Sequence, residues 1–214
     1  MLLFGHRTKI KMNILRTQRI EIQHASIQLL RLESQKSNTR NAISRQENSS
    51  LVAYVFPELT GDSATLVYDE FGKPWPGNLD GFVSISHSAH WFAVSYSKSH
   101  VQGIDIETVR PQLEAISKRF LHPEEIIWLN SQRERQKALQ VFWGAKEAMY
   151  KAFGRKKLHF HSNIRVSEFD TKQPSNFKGW VDSPDGILNF ELTWQMPDEE
   201  TFLVAVCGNS ANPI

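Results

Sequence analysis

Residues 82–108 read FVSISHSAHWFAVSYSKSHVQGIDIET. Side chains on an extended chain point alternately to opposite faces. This stretch alternates in three runs, Phe82–Ser86, Trp91–Tyr96 and Val101–Glu107. Polar connections at Ser86–His90 and Ser97–His100 separate them, so the spacing predicts three consecutive antiparallel strands in a meander. In the last run Ile104 and Ile106 share a face expected to be core, and Asp105 and Glu107 share the other.

Upstream, Ile20, Ile22, Ile27, Leu29, Leu30 and Leu32 partly alternate with polar residues and predict one or two strands over Arg19–Leu32. Ser34–Ser44 is polar and reads as a loop. Arg45–Phe56 resembles a helix with Leu51, Val52 and Val55 on one face, stopped by Pro57. Gly61-Asp62 turns the chain into a strand over Ala64–Tyr68, and Glu70-Phe71-Gly72-Lys73-Pro74 forms another turn.

Downstream of Pro111 the pattern becomes helical, through Leu113, Ile116 and Phe120 and then through Glu124–Leu129 behind Pro123. Residues 133–153 form the longest predicted helix, closed by Gly154 at its C-terminal cap. Four more strands are expected over Ile164–Phe169, Phe177–Val181, Ile187–Trp194 and Phe202–Cys207. Helix and meander thus occur twice, which predicts an α+β fold in two halves, residues 1–108 and 109–214.

Composition narrows the function classes. The 214 residues are 40% hydrophobic and 11% aromatic, enough for an ordinary core. A net charge of +2 points to neither nucleic acid nor membrane as an obligatory partner. The single cysteine, Cys207, excludes an intramolecular disulfide and any multi-thiolate zinc site, and makes a reducing, cytoplasmic setting the default. No apolar run approaches the ~18 residues of a membrane span. Residues 1–45 hold nine Lys and Arg against two acids. That opening is expected to be a solvated basic tail, disordered over 1–18, with a transit segment or a start at Met12 as alternatives.

Four segments carry chemistry. Asp105 and Glu107, side by side on one strand face, repel each other unless a cation lies between them, and hard oxygen donors at that spacing suit Mg²⁺. On the long helix Trp143, Lys146, Glu147, Tyr150 and Lys151 recur at three- and four-residue spacings and form one stripe. Glu147 can add a third carboxylate there, and the two lysines can neutralise phosphate oxygens. Ser86 and His87 sit at a strand end and suit phosphate hydrogen bonding. A nucleophilic triad fits less well, because adjacent residues on an extended chain point apart and no G-x-S-x-G elbow surrounds them. Lys73 and Pro74 occupy the Gly-Lys-Pro turn, which by itself is only a turn with an exposed lysine.

Together, a Gly-Lys-Pro turn, a Ser-His-Ser strand end, a Gly-Ile-Asp-Ile-Glu strand and a Trp-x-x-Lys-Glu-Ala-x-x-Lys helix resemble the 4′-phosphopantetheinyl transferase superfamily. The likeness runs from about Arg45 to about Val166, and the doubled order resembles the larger, pseudo-dimeric single-chain class. The resemblance implies a monomer with two halves related by a pseudo-twofold and one active site in the cleft between them. It implies transfer of phosphopantetheine from coenzyme A to a serine of an apo acyl- or peptidyl-carrier protein, serving fatty acid, polyketide or nonribosomal peptide synthesis. Asp105, Glu107 and Glu147 would hold Mg²⁺, Lys146 and Lys151 would contact phosphate oxygens, and His87 the pyrophosphate. Lys73 would meet the 3′-phosphate or ribose and Pro74 the adenine. Glu125 would be a general base, with Glu124 its register alternative, acting beside Glu147 and Lys151.

The first helix departs from that pattern, because Gln46–Phe56 carries no Lys or Arg for a 3′-phosphate and Arg45 or the segment before it would substitute. Two other readings use the same residues. One is a coenzyme A or carrier-protein binder without activity, and the other is a Mg²⁺-dependent nuclease or phosphatase acting without a protein acceptor.

Overall fold

The computed structural model describes residues 14–22, 24–33, 45–63, 65–88, 90–155 and 158–208. The fold is α+β, as expected, and is built on antiparallel sheets. The first sheet has the order β1-β2-β6-β5, from Ile14–Ile22, Ala25–Leu32, Trp91–Ser97 and Phe82–Ser88. The second has the order β7-β11-β10-β9-β8, from Gln102–Thr108, Thr201–Gly208, Gly186–Asp198, Asn176–Ser183 and Ile164–Val166. A small ribbon pairs β3 (Leu66–Tyr68) with β4 (Pro74–Pro76).

Alternation along the strands makes two cores from each sheet. Leu30, Leu32, Phe92 and Val94 face Leu51, Val52, Val55 and Phe56 of α1 (Arg45–Thr60). Their neighbours Ile27, Leu29, Trp91 and Ala93 face the other way, against Ile104, Ile106, Leu203 and Ala205 of the second sheet. The far side of that sheet packs Val204 and Val206 on Leu139, Phe142 and Met149 of α4 (Arg135–Phe153). The layers therefore run helix, sheet, sheet, helix. Each fully buried Leu, Val or Phe contributes about 1.5–3 kcal/mol to holding them together. Among the described residues no helix is long and apolar enough to cross a membrane.

Three expectations change. Helix α1 does not stop before Pro57 but continues through it to Thr60, with the Gly61 N–H donating to the Pro57 carbonyl at 3.0 Å. Proline removes one helical hydrogen bond and crowds the preceding turn, and burial of Phe56 and Leu59 offsets that cost and keeps the last turn in place. The basic opening is not a tail up to residue 18, because β1 begins at Ile14 and pairs with β2. Residues 1–13 and the loop expected over 34–44 lie outside the described residues.

The central meander is interrupted as well. β5 and β6 pair, but β7 pairs with β11 in the second sheet. Instead of a backbone ladder, the N–H groups of Ile104, Ile106 and Thr108 donate to the hydroxyls of Ser84, Ser86 and Ser88 at 3.1, 3.2 and 3.2 Å. Serines at every second position of β5 thus satisfy an otherwise unpaired edge of β7. The two sheets meet along this line.

Candidate active site

Gly103 explains why the acidic strand lies against the long helix. A Cβ at that position would stand 1.9 Å from the Ala148 carbonyl oxygen, so only glycine lets the two backbones approach. From that contact, alternation turns Asp105 and Glu107 toward α4, where Glu147 and Lys151 emerge one helical turn apart.

Lys151 Nζ donates to Asp105 Oδ1 at 2.8 Å, to Ser86 Oγ at 2.9 Å and to the Ile104 carbonyl at 3.0 Å. Ser86 Oγ also donates to Asp105 Oδ1 at 3.2 Å. The second oxygen, Asp105 Oδ2, is buried and has no hydrogen-bond partner among the described residues. Glu107 accepts from Arg110 Nη2 at 2.7 Å. Burial, followed by the charge of Asp105, pushes the Glu107 carboxyl up to about 7 against the opposing pull of Arg110 and Lys151. Glu147 is raised by burial and then by Asp105, with Lys151 and Arg110 again opposing. The charge of Asp105 thus reaches both Glu107 and Glu147, with Lys151 and Arg110 opposing it.

Among the described residues no three His, Cys, Asp or Glu side chains are gathered closely enough to clasp a metal unaided. Mg²⁺ does not demand such a cage. It takes one or two carboxylates directly and fills the rest with water and substrate phosphate oxygens. A buried carboxylate oxygen of Asp105 without a hydrogen-bond partner, with the carboxyls of Glu107 and Glu147 within its electrostatic reach, fits that mode of binding.

Beside the acids opens a cleft of roughly 370 Å³, lined among others by Lys73, Pro74, His87, Tyr150, Lys151 and Arg155. Lys73 reaches it through a turn organised by Asp69. That carboxylate accepts from the Phe71 and Lys73 N–H groups at 3.0 and 2.8 Å and from Trp75 Nε1 at 3.1 Å. Lys73 Nζ donates to the Ala152 carbonyl at the end of α4 at 2.7 Å and lies 5.0 Å from the Trp75 ring centre. Burial lowers its ammonium to about 8, with Asp69 opposing. His87 is half-buried, and burial and Lys151 lower its pKa below the usual 6.5 while Asp105 opposes, so the ring is neutral at pH 7.

The structure brings Lys73, Pro74, His87 and Lys151 to one cavity, and Glu107 and Glu147 within electrostatic reach of Asp105. Three other predicted residues do not take the roles expected of them. Lys146 is not a phosphate ligand: its side chain is 0% exposed. Its protons go to Glu125 Oε2 at 2.8 Å, to the Phe160 carbonyl at 3.0 Å and to the Ile164 carbonyl. Glu125 is not poised as a base. It belongs to the capping box of α3 (Pro123–Asn130), accepting from the His122 N–H at 2.8 Å, and its other oxygen accepts from the Val166 N–H at 2.8 Å. Glu124, its register alternative, is paired with Arg165, and both glutamates line a different cavity. Ser86 is buried, its one O–H already given to Asp105 and its oxygen accepting from Lys151 and the Ile106 N–H, so it positions the site and has no proton left for a phosphate oxygen.

The helical stripe splits for a geometric reason. Neighbouring residues on a helix point about 100° apart. Glu147 and Lys151 turn to β7, whereas Trp143, Lys146 and Tyr150 turn toward Phe160 in α5 (Phe160–Asn163). Arg110 went unnoticed in the sequence, although its position three residues after Glu107 was the available signal.

A family model described as the 4′-phosphopantetheinyl transferase superfamily matches residues 102–207. Three relatives carry the same name. A 4′-phosphopantetheinyl transferase of Bacillus subtilis is 28% identical over 142 residues, covering 65% of this chain and 60% of that protein. The gsp transferase of Aneurinibacillus migulanus is 36% identical over 89 residues, 41% of this chain and 37% of that one. HetI of Nostoc is 35% identical over 95 residues, 41% and 40% of the respective chains. The chain thus matches between 37% and 60% of the length of these relatives. The matched region, with strand β7 and helix α4 that hold Asp105, Glu107, Glu147 and Lys151, belongs to the 4′-phosphopantetheinyl transferase superfamily.

Proposed function

We propose that this chain transfers the 4′-phosphopantetheine group of coenzyme A to a serine hydroxyl of an apo acyl- or peptidyl-carrier protein, releasing 3′,5′-ADP. The serine oxygen forms a bond to the β-phosphorus as the bond to the departing nucleotide breaks. Such a transfer depends on in-line positioning and on neutralising spread negative charge, without a covalent enzyme intermediate. Asp105, Glu107 and Glu147 would hold Mg²⁺, which when bound neutralises the pyrophosphate.

The chain's own residues supply the rest. Lys151, fixed by Ser86 and the Ile104 carbonyl, holds Asp105 in place and sets a positive charge at the cleft wall. His87, neutral at pH 7, serves as a hydrogen-bonding partner for a phosphate without adding charge. Lys73 and Arg155 line the same cavity and supply cations toward a 3′-phosphate, for which Gln46–Phe56 carries none. Glu147 would accept the serine proton on a carboxylate oxygen that the metal does not hold, a role typically worth about 10²–10⁴-fold. This assignment replaces Glu125. The two-half organisation, residues 1–108 and 109–214, is part of the proposal, with the first half lending β7 to the sheet of the second.

The observation that carries the reading is the buried oxygen of Asp105 that has no hydrogen-bond partner among the described residues, on a carboxylate that Lys151 ties to the wall of a cation-lined cleft. The test is incubation with coenzyme A, Mg²⁺ and an apo carrier protein, followed by weighing the carrier. A gain of one phosphopantetheine is expected. Unchanged masses across several carriers would reject the transferase, and full transfer in the presence of a chelator would reject the metal.

A further inference from the structure

Arg110 follows the acidic strand and sits among its carboxylates. Its backbone is fixed independently of its side chain. The Arg110 N–H donates to Gln140 Oε1 at 2.9 Å, and its carbonyl accepts from Gln136 Nε2 at 2.9 Å. Both glutamines belong to α4, so the stem of Arg110 is clamped to the helix that carries Glu147.

The side chain is held far less firmly. Among the described residues the guanidinium makes one hydrogen bond, Nη2 to Glu107 Oε1 at 2.7 Å, and the side chain is 38% exposed. Lys151, the other cation at the cluster, spends three bonds on Ser86, Ile104 and Asp105. A divalent ion entering among these carboxylates has to compete with one of the two. The singly bonded, partly exposed guanidinium is the weaker competitor.

We propose that Arg110 is the displaceable counter-cation of the acid cluster. It holds Glu107 in position until a divalent metal takes that carboxylate, then turns outward on a backbone that does not move. The inference rests on the reading of Asp105, Glu107 and Glu147 as the metal-holding group. It makes Arg110 a positioning residue that sets metal affinity.

The test is titration of the intact chain with Mn²⁺ alone at low ionic strength, following free Mn²⁺ by electron paramagnetic resonance. Arg110→Gln is expected to tighten Mn²⁺ binding about two- to fivefold, the scale of a partly exposed ion pair. The difference should shrink as salt is added. Arg110→Lys, which keeps the charge, should return the affinity toward wild type. Arg135→Gln, which removes a charge paired with Glu114, should leave it unchanged. Because the backbone bonds to Gln136 and Gln140 survive substitution, Arg110→Gln is expected to melt as a folded protein. Unchanged or weaker Mn²⁺ binding in Arg110→Gln, with binding impaired in Glu107→Gln, would overturn the role of Arg110 alone. Failure of wild type and Arg110→Gln alike to bind Mn²⁺, or wild-type affinity in Glu107→Gln, would overturn the metal reading and this proposal with it.

Discussion

Lys151 Nζ lies 2.8 Å from Asp105 Oδ1 and 3.0 Å from the Ile104 carbonyl, tying α4 to β7 at the level of the acids. The bond holds Glu147 and Glu107 in register with each other, because one stands a helical turn before Lys151 and the other two residues beyond Asp105. It also leaves Asp105 with one oxygen committed and one free.

Removing that tie should affect turnover more than coenzyme affinity. Lys151→Ala is expected to lower kcat by about 10²-fold, the usual loss on deleting one preorganised charge from a reaction centre. Lys73→Ala, at the far wall of the cleft, should chiefly raise KM for coenzyme A. Steady-state kinetics with saturating carrier protein separates the two, and equal effects confined to KM would contradict the role given to Lys151.

Asp105→Asn keeps the shape of the side chain and removes its charge. Transfer should fall by more than about 10²-fold, since even outer-shell partners of a metal change affinity by 10–100-fold. Circular dichroism should show a retained fold. Mn²⁺ binding measured on the same sample should weaken in parallel with activity.

The raised carboxyls fix the direction of the pH dependence. Glu107 moves from 4.5 to about 7 in the folded chain, so between those values the folded state binds more protons than the unfolded state. Stability without metal should therefore fall as pH rises from about 4.5 through 7. Metal affinity should rise over the same interval, because only the ionised carboxylates bind. Thermal melts at pH 5 and pH 8, each with and without Mg²⁺, should show the larger metal-induced gain at pH 8.

Lys146 and Glu125 form a buried pair, with side chains 0% and 3% exposed. Lys146→Met alone leaves a buried carboxylate without its cation and should cost about 3–5 kcal/mol. Replacing both, Lys146→Met with Glu125→Leu, should recover part of that loss. Coenzyme A affinity of the folded fraction should stay near wild type in each. A selective loss of coenzyme binding at unchanged stability would return Lys146 to the phosphate site.

Gly154 ends α4 with φ at +75°, and a Cβ there would lie 2.5 Å from Lys73 Cδ. Gly154→Ala should destabilise by about 1 kcal/mol or more from the left-handed backbone alone. It should also push Lys73 from the Ala152 carbonyl and raise KM for coenzyme A. Guanidinium melts and kinetics on the same preparation would show both effects.

Local pattern made much of this legible. Two-residue alternation in Gly103–Glu107 assigns Asp105 and Glu107 to one face in advance, because strand geometry leaves no other arrangement. Gly154 is readable as a helix end for a similarly local reason. The C-terminal strands fall close to their expected positions, since Pro184-Asp185-Gly186 turns β9 into β10, although β10 runs on through Pro197 to Asp198.

Partnership was not legible. Whether β7 pairs with β6 or with β11 depends on contacts between residues about 100 positions apart, and alternation is the same in both cases. Ser86 and His87 read as a ligand-binding end of β5, which has Ser84, Ser86 and Ser88. These serines instead cap the N–H groups of β7, a use visible only once the two edges are side by side.

From the order of residues alone came the α+β class, the acidic strand face, the Glu147–Lys151 spacing and the family likeness, all properties of a chain and its immediate neighbours. The folded arrangement decided which charges meet substrate and which are buried in the frame. Lys146 and Glu147 are adjacent in sequence, yet the helix turns them about 100° apart. One is sealed against α3 and β8, and the other faces Asp105. Burial and partner charge are sums over everything packed around a side chain, and only the tertiary structure determines what that surrounding is.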